Sequence, residues 1–448
     1  MREGGLAAPT RHPLAWEDPE FYDEAKLDSE LRRVFVICHT CRRCFNLCDS
    51  FPRLFDLIDD SKSGELDSVA SASFKPVIDA CTLCDMCFMT KCPYVPPHEF
   101  NIDFPHLMLR ARAVEAKKGE VELSERELAK TDRNGKLATY VAPLANWATS
   151  ATNKMMRNLL EKTAGLHHEA HLPKYRSKSF AKRASEKPLI VDRNAPGFGR
   201  KAVLFSTCFT NYNDPQVGLA ALAVLAKNGV ETEVVYPHCC GMPLLEQGLI
   251  AEVANAAQTI SSTLQPWIEK GYDVIASVPS CALMLKFEWP LILPNDARVK
   301  LLSKATFDLS EYIVDIARKE GIAPGLQPIE TSVSLHISCH SRAQNMGQKA
   351  AEMVRLIPGA DVQVIERCSG HGGTWGYRTE NFETALKVGR PVAQQARDGK
   401  KACVASECPL AGLHITQGIE KLDGGAKKPP ALVTHPIEFV ARAYGFAP

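Results

Sequence analysis

The pattern of apolar and polar positions divides this chain into blocks. Residues 1–30 are polar without a sustained period and read as a partly disordered lead-in. Further on, FPRLFDLIDD is helix-like and gives way to a polar loop, and FPHLMLRARAVEAKKGEVELSERELAK reads as charged helix. Over residues 136–163, Leu144, Trp147, Ala151, Met155 and Leu159 recur at helical spacing and form one apolar stripe. The favoured reading packs that stripe on the protein's own core; the other makes it a docking face for a partner subunit or a membrane surface. Residues 174–201 carry nine Lys or Arg against Glu186 and Asp192. They read as a solvated basic linker, with contact to anionic lipid or an acidic partner as the lesser alternative.

From residue 202 the pattern becomes short apolar runs alternating with helical stretches. KAVLFS, a helix near 215–228, ETEVVY, a long helix near 248–269 and DVIASV predict strand–helix–strand–helix–strand, hence a parallel α/β layer. SVSLHIS, DVQVIE, a helix near 381–398 and ACVAS repeat the order. Cys208 and Cys339, Cys239 and Cys368, and Cys281 and Cys408 are 131, 129 and 127 positions apart, as an internal duplication requires. Each cysteine follows a strand, at the end of a parallel sheet where binding sites form.

Composition narrows the chemistry. With 53 basic and 52 acidic residues there is no global electrostatic case for nucleic acid. No apolar run reaches 18 residues, so no transmembrane helix is expected, and MREGGLAAPTRHPLAWEDPEF lacks a secretory core. A reducing cytoplasm follows as the expected location, where clustered cysteines are metal ligands rather than disulfides.

Eight of the sixteen cysteines form two runs, Cys38, Cys41, Cys44 and Cys48, then Cys81, Cys84, Cys87 and Cys92. Each is C-x2-C-x2-C with a fourth cysteine close behind, the way a short loop wraps an iron–sulfur cube. By the crossed pattern of two-cluster ferredoxins, Cys38, Cys41 and Cys44 pair with Cys92, and Cys81, Cys84 and Cys87 pair with Cys48, giving two [4Fe-4S] clusters. The second run has four residues, FMTK, before Cys92 where three are usual, and Asp49 rather than proline follows Cys48. Arg42, Arg43 and Lys91 stand beside ligands, where positive charge favours a reduced cluster, although arginines solvating the loop explain them as well. Zinc normally takes two-plus-two spacing, which fits triple runs poorly.

Cys208, the adjacent Cys239 and Cys240 before Gly241, and Cys281 offer four thiolates for a further iron–sulfur cluster, against a reading as unligated or redox-active thiols. Cys339, Cys368 and Cys408 are a thinner set, with Ser369 where a second adjacent cysteine would stand. They hold a site with His336, His340, His371 or a water, or are the eroded copy of a duplication; erosion is favoured. Cys403 lies in a strand and reads as core. CSGHGGTWG lacks the Lys-Ser/Thr of a phosphate loop, and PGFGRK precedes its strand, so neither marks a nucleotide site. His167, His168 and His171 read as exposed rather than ligating. No catalytic residue is identified.

Two four-cysteine runs followed by two α/β repeats with HCCG and CSG turns resemble the iron–sulfur oxidoreductases with paired CCG, heterodisulfide reductase-type cysteine-rich domains. CHSRAQNMG, ERCSGHGGTWG and THPIEF look most like the anaerobic glycerol-3-phosphate dehydrogenase C subunit; the glycolate oxidase iron–sulfur subunit is also similar. The resemblance implies a mainly helical ferredoxin-like dicluster domain at 31–112, a helical and basic linker at 113–201, and α/β CCG repeats at 202–325 and 326–448. Full repeats of this family carry C…CCG…CxxC, and Met284, Ser369 and Ala411 depart from it. Those losses argue against heterodisulfide chemistry. What is implied is an electron-transfer subunit relaying electrons from a flavoprotein dehydrogenase or other redox protein to quinone, cytoplasmic or peripheral on the inner face of the membrane. The alternatives are a disulfide-type reductase with a catalytic CCG cluster and a redox-sensing scaffold.

Overall fold

The computed structural model describes residues 9–329, 332–424 and 429–446. Residues 1–8 of the lead-in lie outside it. The rest of the lead-in packs on the first repeat. Leu14 N–H donates to the Leu291 carbonyl at 2.9 Å and Trp16 Nε1 to that of Ile292 at 2.8 Å. Asp23 then caps a helix, Glu24–Cys41, that runs through the expected boundary at residue 30.

That helix packs with Ser50–Asp59 around Phe35, Phe51, Phe55 and Phe74. The segment read as charged helix is two helices, Phe104–Lys118 and Leu123–Ala129, separated at Gly119. The first is buried along most of its length, Phe104 to Leu109 included, between the cysteine-rich N-terminal module and the first repeat.

Two four-stranded parallel sheets carry the rest. The first has β1 (Lys201–Phe205), β2 (Glu231–Val235), β3 (Asp273–Ala276) and β4 (Thr306–Asp308) in the order β2-β1-β3-β4. The second has β5 (Ser332–His336), β6 (Asp361–Ile365), β7 (Cys403–Ser406) and β8 (Ala431–Val433) in the order β6-β5-β7-β8. Every pairing is parallel, so the duplication extends to topology. Helix Pro215–Lys227 of the first repeat packs on Ile437–Ala443 of the second, within a core that includes Val224, Ile313, Val354 and Val440.

The apolar stripe is divided between helices Ala142–Thr149 and Lys154–Ala164, and it is not core. Leu144, Trp147, Met155 and Leu159 are 60%, 53%, 72% and 49% exposed. Leu137, Tyr140 and Val141 extend the same surface. The basic segment is less solvated than its charge suggests. Phe180 is fully buried in it, its ring so close to Gly218 that a Cβ there would come within 2.5 Å.

Candidate metal centres

The N-terminal thiols gather by local backbone geometry. Helix Glu24–Cys41 ends at Arg42, which turns left-handed at φ 53° and leaves Cys38, Cys41 and Cys44 around one turn. Leu83 and Asp85 adopt φ 46° and 62°, uncommon for residues with side chains, and wind the second run back on itself. The extra residue of FMTK is absorbed by a five-residue turn, in which Cys92 N–H bonds the Cys87 carbonyl at 2.8 Å.

Cys92 falls near Cys38 and Cys44, and Cys48 near Cys81 and Cys84. Burial pushes the Cys38 thiol up, and Cys92, Cys44 and Cys41 add to the shift. Burial likewise pushes Cys44 to about 12, with Cys92 and Cys41 adding and Lys91 opposing. Cys48 is raised by burial and then by Cys84 and Cys81; Cys87 by burial, then Cys84 and Cys81. Four sulfurs that repel one another's charge and have little cationic compensation suit a thiophilic metal centre, which deprotonates and screens them together. Lys91 is thus electrostatically close to a thiol, whereas Arg42 folds back onto Asp59 at 2.9 Å and over the Phe55 ring.

In the first repeat, Cys239 and Cys208 Sγ are 4.0 Å apart, and Cys240 and Cys281 Sγ 3.2 Å. The neighbouring Cys208 and Cys240 thiols hold the Cys239 thiol low. Gly241, at φ 85°, makes the turn that points the adjacent cysteines into one place. Met284, at the family's fifth position, is fully buried. Sequence reading missed the lid over this set. Asp132, on helix Thr131–Tyr140, accepts from Cys239 N–H at 2.6 Å and from the Tyr236 hydroxyl. Nothing in TDRN signals that role.

In the second repeat, Cys339 lies beside Cys368 and beside Cys84 of the N-terminal module. Cys408 lies 3.5 Å from His371 Nε2 and is close enough to Cys281 and Glu246 for their charges to raise it; burial is the larger cause of its rise to about 11. Cys339, Cys368 and Cys408 line one cavity of about 60 Å³ with Cys84, Glu246 and His371. Cys403 is buried and points its sulfur at the Ser332 carbonyl, as a core cysteine would. His167 stacks on Phe382 at 4.0 Å and is half-buried, whereas His168 is exposed.

Residues 202–286 and 333–416 each match the cysteine-rich CCG domain, so the chain carries that domain twice. It is 29% identical over 294 residues to the C subunit of anaerobic glycerol-3-phosphate dehydrogenase from Escherichia coli (strain K12), covering 64% of this chain and 71% of that one. It is 28% identical over 281 residues to the B subunit of fumarate reductase (CoM/CoB) from Methanothermobacter marburgensis, covering 60% and 53%. Lactate utilization protein A of Bacillus pumilus is 27% identical over 235 residues, covering 50% and 93%. The resemblance read from the cysteine turns therefore holds, and two of these relatives are subunits of a dehydrogenase and a reductase.

Proposed function

We propose that this chain is an iron–sulfur electron-transfer subunit of an oxidoreductase complex. It takes electrons from a flavoprotein dehydrogenase, or another redox protein, and passes them through two [4Fe-4S] clusters and the CCG domains to a quinone or other acceptor. One observation carries the reading: Cys84 of the N-terminal module lines one cavity with Cys339, Cys368 and Cys408 of the second repeat. Cys44 is within electrostatic range of Cys87, and Cys408 of Cys281. When bound, the clusters supply one-electron carriers at each stage. Cys38, Cys41, Cys44 and Cys92 would hold the first, Cys48, Cys81, Cys84 and Cys87 the second, and Cys208, Cys239, Cys240 and Cys281 a further one. The residues' own contribution is to exclude water and fix the order. Phe45, next to Cys44 in the chain, is 57% exposed.

Iron and acid-labile sulfide per chain after anaerobic purification, with low-temperature EPR, test this. About twelve irons or more, with a signal lost in Cys240→Ser, are expected. Fewer than about eight would overturn the two-cube assignment. Turnover of a disulfide from an artificial donor, abolished by Cys239→Ser and by Cys240→Ser, would favour the reductase alternative.

The exposed stripe supports peripheral contact with the inner face of the membrane. No helix among the described residues is long and apolar enough to cross one. Leu144, Trp147, Met155 and Leu159 are flanked by exposed Lys136, Lys154 and Lys162, the composition of an interfacial helix pair. Flotation with phosphatidylglycerol vesicles should be lost in a Leu144→Ser, Trp147→Ser double variant; unchanged flotation, or none in the wild type, would overturn the contact.

A further inference from the structure

The second repeat has lost two of the family's cysteine positions, to Ser369 and Ala411, and by sequence looks eroded. We propose that it holds a polynuclear iron–sulfur group of its own, ligated by Cys339, Cys368, Cys408 and the Nε2 atom of His371. The inference rests on the electron-transfer reading above and adds a centre to it, placed between the N-terminal groups and the first-repeat set.

Four observations converge. The three thiols and His371 line one cavity. Of the histidines near it, His336 has both ring nitrogens engaged, Nδ1 with Ser406 Oγ at 2.9 Å and Nε2 with the Arg367 carbonyl at 3.0 Å. His340 turns Nε2 to the Leu83 carbonyl at 3.4 Å. His371 alone of the three has an acceptor nitrogen directed at a thiol. Its Nδ1 faces the Gly373 carbonyl at 3.3 Å. A carbonyl only accepts, so Nδ1 carries the proton and the Nε2 lone pair is left towards Cys408 Sγ, 3.5 Å away. A backbone carbonyl on the far nitrogen is how a ligating histidine is usually oriented.

The loop is also built to deliver that ring. Gly370, Gly372 and Gly373 all have positive φ, at 79°, 50° and 61°. A Cβ on Gly372 would stand 2.4 Å from Thr82 Cγ2, and one on Gly373 2.5 Å from a Glu246 carboxylate oxygen. The turn is therefore pressed against the N-terminal module on one side and the first repeat on the other. Gly370 N–H donates to Cys368 Sγ at 3.4 Å, a bond that favours thiolate. A vestigial loop has no need of these constraints.

Spacing indicates a cluster rather than one ion. Zinc–sulfur bonds of about 2.3 Å bring all donors of a tetrahedral site within about 4 Å of one another. Among the described residues, the sets of three or more donors lying within 4.8 Å of one another are those around His167. No three of the four donors proposed here lie all within 4.8 Å of one another, a wider set than one tetrahedral ion gathers.

Pulsed EPR of the anaerobically purified, reduced chain tests the assignment. A strongly coupled ¹⁴N signal is expected in the wild type, and its loss in both His371→Ala and His371→Cys. His371→Cys keeps a ligand, so its iron content should stay at the wild-type level while the potential of this centre falls, since histidine ligation raises it. Cys368→Ser and Cys408→Ser should each lose one cluster's iron while the N-terminal signals persist. A wild type without nitrogen coupling, or iron unchanged in both serine variants, would overturn the inference while leaving the two-cube reading intact. Loss of the N-terminal signals in the wild type itself would instead overturn that earlier reading.

Discussion

Arg11 shows how much one side chain can hold at the residue scale. Its guanidinium forks onto Asp85 at 2.8 and 2.9 Å, reaches Asp103 at 2.8 Å and meets Glu288 at 3.0 Å. It thus ties the N-terminal strap to the second cysteine loop, to helix Phe104–Lys118 and to the first repeat. Asp85, between Cys84 and Cys87, is left-handed as Leu83 before it is, so the clasp also holds that loop's conformation. Burial alone would raise the Asp103 carboxyl, yet His106 and Arg11 outweigh it and hold it at about 2. Arg11→Ala leaves Asp103 and Glu288 with His106, strips Asp85 of its guanidinium, and should cost roughly 3–5 kcal/mol in denaturant unfolding at neutral pH. Arg11→Lys should recover little, because an ammonium cannot fork.

Glu246 gives a pH signature at the same scale. Burial raises its carboxyl to about 8, with Arg112 opposing. Because the folded value lies above the unfolded one, its contribution is full below the ordinary carboxylate range and is lost as pH rises through about 8. Stability should fall between about pH 5 and 8 in the wild type and fall less in Glu246→Gln, measured by anaerobic urea unfolding across that range.

At the scale of elements, helix Thr131–Tyr140 joins the third thiol set to the exposed surface. Its first turn places Asp132 on the Cys239 amide, and its far end presents Leu137 and Tyr140 to solvent. Asp132→Ala strands the Cys239 N–H and the Tyr236 hydroxyl, at about 1–3 kcal/mol each if they stay dry. It should shift the EPR signal lost in Cys240→Ser and leave the N-terminal signals in place. An unchanged spectrum would mean that Asp132 only packs.

The same elements show what the sequence could and could not reveal. Strands β1, β2, β3, β5, β6 and β7 were legible because each is an apolar run closed by a cysteine turn or a polar break. Strands β4 and β8 are three residues each, too short for any period to register. The stripe had the right period but its face could not be assigned, since periodicity says that one side is apolar and not what covers it. Cysteine spacing suggested candidate ligand groups, but the approach of Cys84 to Cys339 depends on how the modules pack. His371 stood among several histidines until the Gly373 carbonyl distinguished it.

For the whole molecule, the modules are not beads on a linker. One core runs from Phe21 and Phe35 through Met108 to Phe205, Trp289 and Leu302, and a second joins Val224 and Ile313 to Val354 and Val440. Inter-domain surfaces in most multidomain chains are smaller and more polar. The proposed relay needs this arrangement, because a mobile joint between Cys84 and Cys339 would break it. Separation should therefore be costly. A fragment beginning at residue 202 would bare the face of Met242, Leu245 and Leu283 that Pro105 and Leu109 meet, and should be insoluble or molten where the full chain is folded. In the full chain, anaerobic urea unfolding should show one transition, with tryptophan fluorescence from Trp16, Trp289 and Trp375 coinciding with loss of the iron–sulfur absorbance. Two separated transitions, with the repeats outlasting the N-terminal module, would mean that the modules are independent and that the series of centres is held by something other than the shared core.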